Sequence, residues 1–153
     1  MSGEAVEIAP GITVDRNVRF GKPVVKGTRV EVATVLAQLA SGASEQQIAR
    51  ECGLTLDGIL DALRYAAEII ADERTSGDER VELASGVTAN RRVRFGKPVI
   101  QGTRVDVATL LGHLAAGDSI EAVAEAYGLT LENLHAALHY AEQVIASESV
   151  SAT

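Results

Sequence analysis

One segment of this chain occurs twice. Arg19-Phe20-Gly21-Lys22-Pro23-Val24 returns as Arg94-Phe95-Gly96-Lys97-Pro98-Val99, and Gly27-Thr28-Arg29-Val30 returns as Gly102-Thr103-Arg104-Val105. The offset is a constant 75 residues and holds without a gap from Val6/Val81 to Ala71/Ala146, with a little over half of the aligned positions identical. An internal repeat of this length constrains the fold more than any other feature, because both copies must adopt the same architecture. We therefore divide the chain into a first domain at 6–71, a linker at 72–80 (Asp-Glu-Arg-Thr-Ser-Gly-Asp-Glu-Arg) and a second domain at 81–146. Residues from Ser147 onward read as a frayed tail.

Each copy is about 66 residues long, a marginal size for a domain standing alone. Two copies that pack together as a covalent pseudo-dimer are expected; the alternative is two independent domains on a flexible linker. Aromatic residues make up only 3% of the 153 residues while hydrophobic residues make up 46%. The core is therefore aliphatic and alanine-rich, which favours helices.

Within one copy, Val18–Val25 and Thr28–Val32 are β-leaning segments around Lys26-Gly27, where glycine supplies the positive φ of a tight turn. Val32, Val35, Leu36, Leu39 and Ala40 fall on one face of a helix. Gly42 ends it. Ser44 caps a second, short helix, with Gln47 three residues on as a capping-box partner. Gly53 breaks this helix, and Thr55 caps a third carrying Leu56, Ile59, Leu60, Leu63, Ala67 and Ile70. Ser119, Gly128 and Thr130 punctuate the second copy in the same way. The expected fold is mainly α: a tandem repeat of a β-hairpin plus a three-helix, helix-turn-helix-like unit.

The run Arg19 to Val32, followed by Leu39-Ala40-Ser41-Gly42-Ala43-Ser44 and Gly53-Leu54-Thr55, resembles the DUF433 family in both copies. That family is grouped with VapB45-like antitoxins that have a DNA-binding helix-turn-helix domain. The resemblance implies an antitoxin-like or regulatory role beside a PIN-like toxin nuclease. Most relatives carry one copy, so the tandem arrangement departs from the pattern.

The net charge is -7, which argues against indiscriminate nucleic-acid binding. The cations are nevertheless concentrated in the hairpin regions: Arg16, Arg19, Lys22, Lys26 and Arg29, then Arg91, Arg92, Arg94, Lys97 and Arg104. Phosphate contacts require such segments. Arg19, Lys22, Lys26, Arg29, Arg94, Lys97 and Arg104 are the candidate nucleic-acid-binding residues. Arg29 and Arg104 have a second reading, as internal staples pairing with Glu31 or with helix carbonyls. The helix after the Gly53 turn presents Asp57, Asp61, Arg64 and Glu68, and its counterpart presents Glu132, Asn133, His135, His139 and Glu142. Carboxylates are repelled by a phosphate backbone, and only Asn133 suits base readout. DNA binding is therefore expected through the hairpins.

Other chemistry finds little support. His135 and His139 share a helix face, but their counterparts are Leu60 and Arg64, so no metal site is expected. Cys52 aligns with Tyr127 and reads as core, as do Tyr65 and Tyr140. Gly21-Lys22-Pro23 lacks the spacing of a phosphate loop. No acid, base and nucleophile converge in both copies, so neither catalysis nor a cofactor is expected. Met1 to Pro10 shows no secretory leader pattern, no run suits a membrane helix, and the lone Cys52 fits a reducing cytoplasm. The expected partners are operator DNA and a toxin or other protein, with a homodimer as a further option. The competing reading is a protein-interaction or assembly module that binds no nucleic acid.

Overall fold

A computed structural model describes residues 5–147. Most of the tail from Ser147, and Met1–Glu4 of the leader reading, lie outside the described residues. The chain forms two units of identical element order. The first has strands β1 (Val6–Ala9), β2 (Ile12–Val14) and β3 (Val24–Val25), then helices α1 (Val32–Ala40), α2 (Glu45–Cys52) and α3 (Leu56–Ala71). The second has β4 (Val81–Ala84), β5 (Val87–Ala89), β6 (Val99–Ile100), α4 (Val107–Ala115), α5 (Ile120–Tyr127) and α6 (Leu131–Ser147). The helices account for nearly half of the chain, and each unit carries a three-stranded antiparallel sheet in which the middle strand is β2 or β5.

The helix limits follow the polar punctuation. Ser44 Oγ accepts from the Gln47 amide at 3.1 Å, but the Gln47 side chain turns to Glu51 rather than back to Ser44, so the box is only half closed. Thr55 Oγ1 accepts from Gly58 N–H at 3.0 Å. At Thr130 the reciprocal box is complete, with Asn133 Oδ1 accepting from the Thr130 amide at 2.9 Å and Thr130 Oγ1 accepting from the Asn133 amide at 3.1 Å.

The strands differ from the sequence expectation. Residues 18–25 are not one strand. The hairpin is made by β1 and β2, which pair Val6 with Val14 and Ala9 with Ile12 around a turn containing Gly11, and β3 adds only two residues. The turn at Lys26-Gly27 is present, with Gly27 at φ 80°. Its returning arm reduces to one bridge between Val24 and Glu31. Gly11 has a packing reason as well as a positive φ, because a Cβ there would overlap the Asp61 carboxylate of α3.

The two units pack through an exchange of helix partners. α1 packs more extensively on α6 than on α3 of its own unit, and α4 likewise packs on α3 rather than on α6. Leu36, Leu39, Leu63, Leu111, Leu114 and Leu138 belong to one buried cluster that draws on both units. Alanine and glycine line the edges of these crossings: Ala67, Ala71, Ala108, Gly112, Ala115 and Ala116 at α3/α4, and Ala37, Ala40 and Ala136 at α1/α6. Small side chains let the helix axes approach, which accounts for an alanine-rich core with few aromatics.

The linker is docked rather than loose. Thr75 N–H donates to Gly96 O at 2.8 Å, Arg91 N–H donates to Gly77 O at 3.1 Å, and Arg91 pairs with Asp78. Glu73, just past α3, lies close enough to Tyr140 of α6 to act on its phenol. Burial, and secondarily that carboxylate, push the Tyr140 hydroxyl up to about 12.

Two outcomes follow. If the helix exchange rather than the linker holds the units together, a protease site inserted after Glu79 will yield fragments that co-elute in native buffer and separate only in urea; separation in native buffer would contradict this. For Tyr140 the folded value lies above the ordinary 10.0, so the fold favours the neutral phenol. That contribution to stability is fully present below pH 10 and is lost as pH rises from about 10 to 12. Denaturant titrations against pH should show this alkaline loss reduced in Tyr140→Phe.

Candidate nucleic-acid interface

The repeated motifs build one exposed tip on each unit. After β2, Asp15 Oδ1 accepts from Asn17 N–H at 2.8 Å and Asp15 O accepts from Val18 N–H at 2.7 Å, reversing the chain. A second, tighter turn follows, in which Gly21 N–H donates to Val18 O at 3.2 Å and Lys22 N–H to Arg19 O at 3.1 Å. This turn is left-handed over three residues, with φ of 52° at Arg19, 59° at Phe20 and 82° at Gly21. The second unit repeats it with 51° at Arg94, 60° at Phe95 and 86° at Gly96. Only glycine adopts this region freely, and each non-glycine residue there costs roughly 1–2 kcal/mol. Gly96 is doubly constrained, since a Cβ would collide with the Thr75 carbonyl of the linker.

The neighbouring Gly-Thr motif is a side-chain-closed turn. Thr28 Oγ1 donates to Val25 O at 2.7 Å and accepts from Val30 N–H at 3.0 Å, and Thr103 does the same with Ile100 and Val105. The arginine that follows is left pointing outward: Arg29 and Arg104 are exposed.

The seven candidate cations separate into two groups. Arg19 Nε donates to Glu31 Oε2 at 2.9 Å, and Arg94 lies 3.9 Å from the buried Asp106, which also accepts from Thr109. Glu31 and Asp106 stand at the starts of α1 and α4, so Arg19 ties its left-handed turn to a helix of its own unit by a hydrogen-bonded ion pair, while Arg94 faces the equivalent carboxylate at longer range. Glu31 therefore serves Arg19 rather than Arg29. Lys22 Nζ donates to Ala146 O at 2.7 Å, a contact across the units at the C-terminal end of α6, where a cation complements the helix dipole. Lys97 lines the matching cleft, of about 570 Å³, with Ala71 of α3. Lys26 pairs with Glu7 at 3.0 Å, and the Gly11 amide together with that lysine holds the Glu7 carboxyl below its usual range. Arg29, Lys97 and Arg104 have no ion-pair partner among the described residues.

Beside Arg29 stands a residue the charge pattern does not single out. Arg16, Asn17, Arg19, Phe20 and Arg29 line one open cleft of about 410 Å³. Phe20 is 94% exposed and Phe95 is 78% exposed. The signal for them lay in the sequence: the chain has only two phenylalanines, and both occupy the same place in the repeat.

The remaining polar positions have local tasks. His113 Nε2 bonds the Tyr127 hydroxyl at 2.8 Å and its Nδ1 faces Asp118 at 3.3 Å, while in the first unit Gln38 donates to Cys52 Sγ at 3.5 Å. The paired positions thus brace α1 to α2 and α4 to α5 with different chemistry. Cys52 is only partly buried. His139 contacts Gln143 and Glu142, and among the described residues no group of three or more His, Cys, Asp or Glu is placed to hold a metal ion. Glu45, half-buried at the start of α2, has its carboxyl raised by desolvation. Asp61 pairs with Arg64, and the Asn133 side-chain oxygen is taken up in its cap. Among the described residues no helix is long and apolar enough to cross a membrane.

These features define a tandem repeat of a small sheet-and-helix unit. The chain belongs to the DUF433 family, a protein family of unknown function, whose model matches residues 12–66 and 87–141. It is also 43% identical over 54 residues to a protein of Mycobacterium tuberculosis (strain ATCC 25618 / H37Rv) named "Putative antitoxin VapB45". That match covers 35% of this chain and 23% of the relative, so the chain spans about a quarter of the curated relative's length. No solved structure matches.

The left-handed turn yields a stability test. Glycine at Phe20 or Phe95 would relieve the positive-φ strain and remove a side chain with little buried area. Phe20→Gly is expected to leave stability unchanged or raise it by up to about 1 kcal/mol. Urea denaturation checks this; a loss above about 1 kcal/mol would mean that the ring packs on the fold.

Proposed function

We propose that this protein is a non-catalytic, antitoxin-like regulator that binds operator DNA through its two basic tips and a toxin protein through another face. The observation that carries the reading is the twin tip: Arg29, without an ion-pair partner among the described residues, shares a cleft with the exposed Phe20, and Arg104 and the exposed Phe95 hold the equivalent positions of the second unit. A pseudo-dimer within one chain would supply the two half-site contacts that a symmetric operator expects from a dimer. The antitoxin name of the M. tuberculosis relative supports the toxin–antitoxin setting, and a PIN-like nuclease is the partner we favour in a cytoplasmic complex.

In this reading α2, the left-handed Gly53 and α3 form a helix-turn-helix corner that does not itself enter the major groove. Asp57 is exposed at the start of α3 and Glu132 at the start of α6, and both would meet phosphate with the wrong sign. Phosphate contact falls to Arg16, Arg29, Arg92, Lys97 and Arg104. Arg19, Lys22 and Arg94 act one step back, by holding the tips in place. The same acidic helix ends favour a second reading, a module whose partner is a basic protein and which binds no DNA.

Fluorescence anisotropy with the protein's own upstream DNA and a scrambled duplex, at low and moderate salt, tests the proposal. Specific binding that survives moderate salt is expected. The variant R29E/R104E should bind at least about tenfold more weakly, because two phosphate contacts become repulsions. Weak binding to both duplexes that vanishes with salt, or equal binding by R29E/R104E, would favour the protein-interaction reading.

A further inference from the structure

We propose that Phe20 and Phe95 are wedges for duplex DNA, each ring entering between two stacked bases while the surrounding arginines hold the flanking phosphates. This rests on the DNA-binding reading above and adds to it the contact that would meet the bases.

The two rings are placed against the interest of the fold. Burying a phenylalanine is favourable by about 1.5–3 kcal/mol, and the core of this protein is aliphatic apart from Tyr65 and Tyr140. Yet both phenylalanines of the chain stand in solvent, at 94% and 78% exposure, at equivalent positions. Their backbone is in the left-handed region, with φ of 59° and 60°. A glycine would be more comfortable there, so the ring is kept despite its conformational cost. Strain at an over-determined position is characteristic of binding sites.

The first unit's turn is also tied on both sides of the ring. Arg19 is tied to Glu31 at 2.9 Å, Lys22 to Ala146 at 2.7 Å, and the turn closes through Gly21 and Lys22 amides. The backbone that carries the ring is thus held before binding.

The charge around the ring selects its occupant. The cleft beside Phe20 is lined by three arginines and one asparagine, with no carboxylate among the lining residues, in a chain of net charge -7. Arg91, Arg92, Arg94 and Arg104 are the repeat equivalents of Arg16, Asn17, Arg19 and Arg29 in the second unit. Arg19, Arg91 and Arg94 are engaged by Glu31, Asp78 and Asp106, which leaves Arg16 and Arg29 in the first unit and Arg92 and Arg104 in the second to meet phosphates on either side of a base. Apolar wedges that unstack a base step and kink the duplex use this combination. An apolar pocket on a protein would satisfy the ring but would leave the arginines facing nonpolar surface. One ring on each of two units of a single chain gives two wedges per molecule.

The test uses the full chain and its own upstream duplex carrying 2-aminopurine at successive positions. Wild-type protein is expected to raise 2-aminopurine fluorescence at two separated steps as those bases lose a stacking neighbour. F20A/F95A should bind at least about tenfold more weakly, give no fluorescence rise, and keep the salt dependence of the wild type, because the phosphate contacts remain. R16A/R29A/R92A/R104A should instead flatten the salt dependence. Wild-type affinity and fluorescence in F20A/F95A would overturn the wedge and leave operator binding standing. Tighter binding to either single strand than to the duplex would overturn the duplex assignment. Failure of the wild-type protein to bind the duplex at low salt would overturn operator binding itself, and the wedge with it. Circular dichroism melts of both variants guard against misfolding, which the exposure of these side chains makes an unfavourable explanation.

Discussion

Everything else in this molecule depends on the exchange of partners between the helices of the two units. α1 needs α6, and α4 needs α3, to cover faces that their own units cover only slightly. A unit of about 66 residues has little interior of its own. By lending its long helix to the other unit, each gains a contact that neither could supply alone. Leu36, Leu111, Leu63 and Leu138 are fully or almost fully buried, which places them among the side chains that stabilise the fold most. The alanines and glycines at the edges of the crossings permit this closeness. Their small volume explains why so hydrophobic a chain contains so few aromatic residues.

The same exchange places the tips. Lys22 stands in the Arg-Phe-Gly turn region of the first unit, yet it donates to a carbonyl at the end of α6 in the second. The turn is thus held by its own unit through Arg19 and Glu31 and by the other unit through Lys22. Gly96 is held in a different way, against the linker at Thr75. Cations that look interchangeable in the sequence therefore divide by task. Arg19, Arg94 and Lys22 are engaged with the protein, Lys26 is paired with Glu7, and Arg29, Arg104 and Lys97 have no ion-pair partner among the described residues. Surface pairs such as Lys26–Glu7 contribute little to stability. In the Arg19 and Arg94 contacts only the carboxylates, Glu31 and Asp106, are sheltered from water, while the arginines stay half exposed.

Much of this architecture was legible in the residues, and what was hidden had physical reasons. The repeat, the six helices and their caps at Ser44, Thr55, Ser119 and Thr130 follow from local patterns that tertiary packing does not override. The strands were harder. β2 has three residues and β3 has two, too few for alternation to appear. The stretch from Val18 looks extended because valines favour strands, but Arg19 and Phe20 turn left-handed against their preferences. The exchange of helices could not be read at all, since an apolar face on α1 fits α3 and α6 equally well when those helices are copies of each other. In the site, the positions of the cations were legible, and their engagement was not. The partner of Lys22 lies 124 residues away. Phe20 and Phe95 were visible as the only phenylalanines, although a charge-based search passes over them.

Fusion of the copies gives this chain a freedom that a dimer of identical subunits lacks. In a homodimer every substitution appears twice, so a brace such as His113–Tyr127 would have to suit both halves. Here the second unit uses that pair while the first uses Gln38 and Cys52. Arg64 on α3 corresponds to His139 on α6, and Lys26 to Gln101. These differences fall in the braces and on the flanks of the clefts. The Arg-Phe-Gly-Lys-Pro and Gly-Thr-Arg segments are the same in both units, down to the left-handed angles of the turn. The halves differ in their braces and at flanking tip positions such as Asn17/Arg92, while the Arg-Phe-Gly turn itself is the same in both. The same strained, solvent-facing ring stands in both halves, held by the same turn although the braces behind it differ.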